Sequence, residues 1–373
     1  MPKVTVGIGI NSRLPISRSR MIIRAAKVMR LDSLWAIDHW LDLYPAGIWD
    51  EGFSWTAKGG ASPHEYFDWA TLLGWAAGRV GKIQLAVGVT DPIRHHPVKL
   101  AQQILTLAHV ARRPPILGIG AGEAENIVPY GMNFDTPVAR LDEALRIIRL
   151  CFESHGPFDF EGEHFQLKRA MMDLAAPPGR TPEIWVAAHG PRMLRMTGRY
   201  GDGWYPAIPM APDQYAANLG IIRDAAADAG RDPTAITPGL SMLYAVAGSE
   251  AEAEQLLDSP PLRFFALLAP HSFWEQLGHS HPLGEGFRGF IDFIPQRYEG
   301  PEILEAMAAV PTDVLAKHMV WGTPGQVTDR LDALVGAGLR HVTLVTVSAL
   351  VSPRLARFAV RAAATISRAV HRM

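Results

Sequence analysis

The chain has 373 residues, of which 48% are hydrophobic and 20% charged, and its formal net charge is −1. This balance is typical of a packed globular protein and argues against a nucleic-acid-binding protein, which would carry an excess of Lys and Arg. The single cysteine, Cys151, excludes an intramolecular disulfide and a cysteine zinc cluster. The N-terminal run MPKVTVGIGI has no signal-peptide pattern, and no window is long enough for a transmembrane segment, so we expect a cytoplasmic protein.

Short runs rich in Val and Ile alternate with longer helical patterns along the whole chain, as in repeated βα units on a parallel sheet. The candidate strands are 4–10, 33–37, 83–89, 115–120, 183–188, 203–206, 239–247 and 340–346. The helical patterns include SRSRMIIRAAKVM, HPVKLAQQILTLAHV, VARLDEALRIIRLCFES, PDQYAANLGIIRDAAADAG and GQVTDRLDALVGAG. These units predict an α/β fold, a single (β/α)8 TIM barrel over residues 1–373, with functional residues at the C-terminal ends of the strands.

Three segments interrupt this alternation, at about 41–62, 155–182 and 260–322. Insertions that follow barrel strands lie over the active site. The third contains RFFALLAPHSFW, which has more Phe, Leu and Trp than a surface loop needs. Two interpretations stay open for it, a wall that faces a lipid substrate and a core helix packed on the barrel.

The strand 33–37 leads into AIDHW, which places Asp38 and His39 at the mouth of the predicted barrel. An imidazole there can act as acid, base or hydrogen-bond donor, and a neighbouring carboxylate can set its protonation state. The alternative is a surface pair at a strand end. The position at the barrel mouth favours a functional pair.

The next strand ends in LAVGVTDPIRHHP. Gly88 inside a strand indicates a bulge or a close approach to the backbone. His95 and His96 could suggest a metal, but adjacent side chains point apart and no third ligand has a recognisable spacing. We therefore predict no metal site, and we interpret His96, which precedes Pro97, as a loop residue that enters a helix.

The stretch ILGIGAGEAENIVPYG, which begins at Ile116, resembles a phosphate-binding loop at first sight. A dinucleotide fingerprint needs a third glycine where this chain has Glu123, so that interpretation fails. Glu123 instead follows a strand at the same rim as His39. It could donate a proton if burial raises its pKa, or it could cap the following turn.

The strand 183–188 runs into WVAAHGPRMLRMTGRY. The turn at His189 and Gly190 opens a helix at Pro191, and the free N–H groups of a helix start can bind a phosphate. Basic residues on that helix could add positive charge, at Arg192, Arg195 and Arg199. The alternative is an ordinary turn followed by a solvated basic face.

These segments, in this order, resemble the luciferase-like flavin and deazaflavin family, and specifically its branch that depends on coenzyme F420. Within that branch, the runs LGIGAGEAENIVPYG, PEIWVAAHGPRMLRMTGRYGDGWYP and VWGTPGQVTDRLDALVGAGLRHVTLV are most similar to the phthiodiolone and phenolphthiodiolone dimycocerosate ketoreductases. The resemblance covers nearly the whole chain. It implies hydride transfer from reduced F420 to a ketone, either a small molecule or a long-chain lipid, by a homodimeric enzyme.

The resemblance also implies roles for individual residues. Asp38 and His39 match a pair beside the deazaflavin ring, and Val87, Gly88, Val89 and Thr90 match a strand with a non-proline cis peptide and a bulge. Glu123 and Asn126 match residues implicated in protonation and cofactor contact. The loop around the cofactor's phosphodiester is matched by Ala187, Ala188, His189, Gly190 and Pro191. His189 stands where the sugar-phosphate enzymes usually have glycine. We favour Glu123 as proton donor and His39 as stabiliser of the ring or oxyanion, with exchangeable roles.

Three other functions stay open from the sequence. A reduced-FMN monooxygenase of the same superfamily would insert oxygen rather than transfer hydride. A non-catalytic protein could store or carry F420. Without the resemblance, a barrel hydrolase that uses Glu123 with Asp38 and needs no cofactor would also fit these residues.

Overall fold

The computed structural model describes residues 3–207 and 210–373, and in them a parallel sheet forms the centre of the molecule. The strands are β1 Thr5–Gly9, β2 Ser33–Ala36, β3 Gln84–Thr90, β4 Ile116–Ile119, β5 Phe158–Glu161, β6 Gln166–Ala170, β7 Glu183–Val186, β8 Gly203–Trp204, β9 Thr237–Val246, β10 Val320–Gly322 and β11 His341–Thr346. The order β9-β11-β1-β2-β3-β4-β7-β8 closes on itself because β8 also pairs with β9. The predicted (β/α)8 barrel is confirmed, and each predicted strand forms with ends shifted by at most two residues.

One strand of the sheet was not predicted. β10 pairs with the last residues of β9, with Val320 opposite Tyr244 and Gly322 opposite Val246. β8 has two residues and pairs only with Thr237 and Pro238 at the start of β9. The last residues of β9 are therefore free to pair with β10 on the same edge. A three-residue strand inside the segment 260–322 carries too little pattern to be recognised in sequence.

Helices connect the strands and cover the outside of the barrel. They are α1 Ile16–Met29, α2 Trp69–Val80, α3 Pro97–Val110, α4 Pro137–Glu153, α5 Pro191–Tyr200, α6 Pro212–Asp228, α7 Glu250–Leu257, α8 Pro260–Leu267, α9 His271–Gln276, α10 Gly300–Ala308, α11 Thr312–His318, α12 Pro324–Gly336 and α13 Pro353–Val370. Proline in the first turn starts several of them, where its missing N–H costs no hydrogen bond. Within the described residues, no helix has both the length and the apolar character that a membrane crossing needs.

Aromatic rings fill the barrel below its mouth. Trp35 stacks on Tyr205 with ring centroids 4.1 Å apart and planes inclined by 3°. Gly88 of β3 lies against this stack, and a Cβ on it would lie 2.6 Å from Trp35 Cε3. The contact explains glycine inside a buried strand and gives the mouth a flat aromatic floor.

The predicted insertions have structures of their own. Within 155–182, β5 and β6 form an antiparallel hairpin. The segments 41–62 and 260–322 share a second apolar core, in which Tyr44 packs on Phe264 with ring centroids 5.3 Å apart. The most buried residues of RFFALLAPHSFW are part of this core, namely Phe264, Leu267, Leu268 and Trp274. For these residues the core-helix interpretation is correct.

Candidate active site

A cavity of about 320 Å³ opens at the C-terminal ends of the barrel strands. Most of the residues predicted for the site line it, namely Asp38, His39, Gly88, Val89, Thr90, Glu123, Asn126, Ala187, His189 and Gly190. They come from the last residues of β3 and from the loops after β2, β4 and β7, which the closed sheet brings to one rim. Convergence of loops at this face is how barrels build active sites.

Three predicted contact residues do not line this cavity. Val87 is fully buried in the barrel core. Ala188 is also fully buried, and its carbonyl accepts a hydrogen bond from Trp204 Nε1 at 2.8 Å. Pro191 is the exposed first residue of α5. Side chains alternate in direction along a strand, so the Val87 side chain points to the opposite side of β3 from its neighbours Ala86 and Gly88. Contact of these three residues with a cofactor stays a prediction.

The backbone of β3 forms one wall. The peptide bond between Gly88 and Val89 is cis. The register of β3 against β4 shifts between Val87 and Thr90. The non-proline cis peptide and the bulge that the resemblance implied are thus both present at the expected residues.

Asp38 is the centre of a buried polar network. Its carboxylate accepts hydrogen bonds from Thr90 Oγ1 at 2.7 Å and from Arg94 Nη2 at 3.2 Å, and it lies 3.0 Å from His95 Nε2. Arg94 also donates to Asp91 through Nε at 2.5 Å. Burial alone would raise the pKa of Asp38, but the His95 hydrogen bond and the Arg94 charge outweigh it and hold the pKa below its ordinary value. Asp38 therefore organises the rim and is not the partner that sets the state of His39.

That partner is Glu123, whose Oε2 lies 3.2 Å from His39 Nε2. Burial would lower the pKa of His39, but the hydrogen bond and charge of Glu123 outweigh it and raise the pKa above its ordinary value. Burial would likewise raise the pKa of Glu123, but its bond to His39 lowers it below the ordinary value. The directions of both shifts favour an imidazolium–carboxylate pair near neutral pH. His39 Nδ1 is buried and has no hydrogen-bond partner among the described residues.

Asn126 is held by hydrogen bonds within the protein. Its Oδ1 accepts from the backbone N–H groups of Trp40 at 2.7 Å and Leu41 at 3.1 Å. Its Nδ2 donates to Glu125 Oε1 at 2.8 Å. The amide thus ties the loop after β2 to the loop after β4, which keeps His39 near Glu123.

Sequence reasoning did not identify Glu125 or Arg94 as parts of the site. Glu125 lies in the short 3-10 turn Ala124–Asn126 and is fully buried. Only its place two residues after Glu123 could have pointed to it. Arg94 lies in the DPIRHHP loop, where no sequence pattern shows that it is buried, and its side chain is 3% exposed.

The start of α5 borders the cavity on the side of β7. Gly190 is the N-cap, and the first helical bond runs from Leu194 N–H to the Gly190 carbonyl at 3.0 Å. The N–H groups of Arg192 and Met193 precede that bond, as expected for an anion-binding helix start. Burial lowers the pKa of His189 to about 4, so its ring is neutral at pH 7. Arg192, Arg195 and Arg199 do not line the cavity.

The far side of the cavity is mostly apolar. Pro270, Phe290 and Ile291 from the segment 260–322 line it, together with one charged residue, Arg288. Pro270 and Phe290 also border a smaller cavity of about 50 Å³, which Phe273 and His318 enclose. Phe273 of the RFFALLAPHSFW run therefore faces a cavity, unlike the core residues of that run.

Comparisons with known proteins agree with this geometry. The family model for luciferase-like monooxygenases matches residues 5–341. The phthiodiolone/phenolphthiodiolone dimycocerosates ketoreductase of Mycobacterium tuberculosis is 39% identical over 350 residues, which are 93% of this chain and 92% of that protein. The F420-dependent glucose-6-phosphate dehydrogenase of Rhodococcus erythropolis is 29% identical over 77% of this chain and 79% of its own. A solved F420-dependent secondary alcohol dehydrogenase in complex with an F420-acetone adduct has the same fold, with a TM-score of 0.75, 22% identity and 99% of each chain covered.

Proposed function

The chain belongs to the luciferase-like monooxygenase family, and from that membership and the rim geometry we propose that it is an F420-dependent oxidoreductase that reduces a ketone. The observation that carries the proposal is the pairing of His39 with Glu123 in a cavity whose opposite wall is the β3 backbone at Gly88, Val89 and Thr90. The identity of 39% to a ketoreductase over 93% of the chain supports the same reaction class. Together they favour a reductase that supplies a proton at this rim.

The residues present fit a deazaflavin cofactor. The wall at Gly88, Val89 and Thr90 offers backbone against which a planar ring can lie. His189 and Gly190 at the start of α5 would hold the phosphodiester, whose negative charge suits free N–H groups at a helix start. When bound, reduced F420 would supply a hydride to the ketone carbon. The protein supplies orientation, a dry wall and the proton.

We assign the proton to His39. The Glu123 carboxylate keeps the imidazole protonated, so the ring can transfer its proton to the alkoxide oxygen as the ketone becomes an alcohol. The imidazole left behind is neutral and stays beside Glu123 until solvent returns the proton. This assignment reverses the preference drawn from sequence, in which Glu123 was the donor. Glu123 is ionised in its pair with His39 and is a poor acid there.

The substrate we propose is an apolar ketone, with long-chain lipid ketones as the first class to test. Pro270, Phe290 and Ile291 make most of the far wall apolar, while Arg288 beside them is paired with Asp292. The smaller cavity beyond Phe290 extends the apolar lining. An alkyl group would gain free energy by leaving water for this wall.

Three alternatives predict different behaviour. A monooxygenase of this family would bind reduced FMN in place of F420. A carrier would bind F420 without turnover, although the paired acid at the rim then has no task. A hydrolase that pairs Glu123 with Asp38 is disfavoured, because Asp38 is already bonded to Thr90, Arg94 and His95.

Titration of the purified protein with oxidised F420, followed by fluorescence quenching and with FMN measured in parallel, separates these functions. Micromolar binding of F420 and not of FMN supports the proposal. Preference for FMN would favour the monooxygenase, and binding of neither would overturn the proposal. A single domain over 1–373, a homodimer and a cytoplasmic location stay predictions from the sequence.

A further inference from the structure

Glu125 is a buried carboxyl group to which the proposed reaction gives no task. It lies in the turn Ala124–Asn126, directly after the Glu123 loop, and its exposure is 0%. One of its side-chain oxygens lies within 4.8 Å of a Glu123 oxygen and of a His39 ring nitrogen. Burial of an acid this close to a functional pair calls for a physical explanation, because an unpaired buried charge is costly.

The hydrogen bonds around Asn126 determine which oxygen of Glu125 is an acceptor. Two backbone N–H groups, from Trp40 and Leu41, donate to the side chain of Asn126, so the atom they contact must be its oxygen. The other end of the amide is then the NH2 group, which donates to Glu125 Oε1 at 2.8 Å. Glu125 Oε2 is buried and has no hydrogen-bond partner within residues 3–207 and 210–373. If Glu125 carries a proton, that proton belongs on Oε2.

The charged groups around the pair favour a proton on Glu125. Glu123 is the neighbouring charge that acts on Glu125, and burial followed by this negative charge raises the pKa of Glu125 well above its ordinary value. Arg94 acts on both His39 and Glu123, and Asp42 acts on His39. His39 is paired with Glu123, and Arg94 is paired with Asp38 and Asp91. Neither of these positive groups is paired with Glu125.

We propose that Glu125 is a positioning residue that stays a neutral carboxylic acid and directs its Oε2–H toward Glu123, holding that carboxylate ionised against His39. The inference rests on the proposed function, because it assigns a task within the same acid pair. A hydrogen bond donated to a carboxylate stabilises the charged form, so Glu125 lowers the pKa of Glu123. Glu123 then keeps its negative charge, and His39 its proton, over a wider range of pH.

The pH profile of kcat separates a neutral Glu125 from an ionised one. Turnover is fastest with Glu123 ionised, where the carboxylate holds the imidazole in place, and with His39 protonated, so the acidic limb reports Glu123 and the alkaline limb reports His39. Glu125→Gln replaces a neutral acid by a neutral amide that can still donate to Glu123. Glu125→Leu removes the donor and replaces it by an apolar side chain of similar size.

The profile is measured for ketone reduction by reduced F420, after circular dichroism has shown that both variants fold. We expect Glu125→Gln to keep both limbs within about 0.3 pH unit of the unmodified protein, and Glu125→Leu to move the acidic limb up by about one unit. A downward shift of the alkaline limb in Glu125→Gln would mean that an ionised Glu125 had been removed, and it would overturn the inference. An unchanged acidic limb in Glu125→Leu would overturn it as well.

A second measurement needs no activity and therefore separates failure of this inference from failure of the proposed function. The protein is labelled with ¹³C at the glutamate side-chain carboxyl groups, and its NMR spectrum is recorded at pH 7 without F420. The resonance that Glu125→Gln lacks belongs to Glu125. We expect it at the chemical shift of a carboxylic acid, and a carboxylate shift would overturn the inference even if the enzyme proved to reduce ketones.

Discussion

Replacing Glu123 by glutamine tests whether His39 is the acid. The substitution keeps the size of the side chain and removes the charge that lies 3.2 Å from His39 Nε2. At an effective dielectric constant of about 20, two unit charges at that distance interact by roughly 5 kcal/mol. The Glu123 side chain is 39% exposed, so solvent screening reduces this to about 2 kcal/mol. Without this attraction the imidazolium is less stable, so the pKa of His39 should fall.

The sign of the effect on activity follows from the protonation state that the reaction needs. Glu123 raises the pKa of His39 above its ordinary 6.5, so activity persists beyond pH 6.5 and is lost as the pH rises through the raised value. In Glu123→Gln the alkaline limb should move to lower pH, and turnover above the raised pKa should fall by up to about 30-fold, the factor that corresponds to about 2 kcal/mol. The affinity for oxidised F420 should change little.

The assay is the appearance of oxidised F420 fluorescence during ketone reduction, recorded from pH 5 to 9 at saturating cofactor. Glu254→Gln is the matched control, because Glu254 is an exposed residue of α7 that does not line the cavity. If the alkaline limb stays in place and turnover at pH 7 is unaltered in Glu123→Gln, the imidazolium account of proton transfer is refuted.

Three further substitutions test other parts of the rim. Arg94→Met removes the ion-pair partner of Asp91 and leaves Asp38 with only Thr90 and His95. The free energy of unfolding in urea should fall by about 3–5 kcal/mol, and a fall below about 1 kcal/mol would contradict the network. Gly88→Ala places a Cβ 2.6 Å from Trp35 Cε3, so we expect the free energy of unfolding to fall by about 1–3 kcal/mol and F420 to bind more weakly. If neither changes, the Trp35 ring moves aside and the close contact is not required. Phe273→Asp places a charge in the smaller cavity, so KM should rise about tenfold for long-chain ketones and less than twofold for short ones. Equal effects on both would exclude this wall from alkyl binding.

The barrel was predictable because buried parallel strands leave a strong local pattern. Runs such as 83–89 and 239–247 are nearly all apolar between polar or glycine boundaries, which is what a strand covered on both faces requires. β10 was not predictable, because its three residues pair with β9 only after β8 has ended. The second core formed by the segments 41–62 and 260–322 depends on contacts between distant parts of the chain.

The positions of the site residues were more predictable than their partners. Sequence placed Asp38, His39 and Glu123 at one rim, because residues after strand ends meet there. It paired His39 with Asp38, but consecutive side chains diverge, and Asp38 turns to Arg94 while His39 turns to Glu123. The adjacent histidines likewise separate, since His95 contacts Asp38 and His96 caps α3.

The buried position of Glu125 shows a different limit. A 3-10 turn has too few residues for its inward face to be read from periodicity, so an acid in the run GEAEN gives no sign of burial in the sequence. Asn126 lines the cavity and its contact with the cofactor stays a prediction, but its Oδ1 joins the loops after β2 and β4 and its Nδ2 donates to the adjacent Glu125. The role of such a residue follows from its hydrogen-bond partners, which only the folded chain defines.

The most direct test of the account is the anaerobic oxidation of reduced F420 by the purified protein on addition of a long-chain ketone, with His39→Asn measured beside it. We predict that F420 fluorescence returns in proportion to the alcohol formed, and that His39→Asn binds F420 but turns over about 100-fold more slowly. Oxidation that occurs without a ketone, that needs oxygen, or that is as fast in His39→Asn would contradict the proposed ketone reduction and its proton donor.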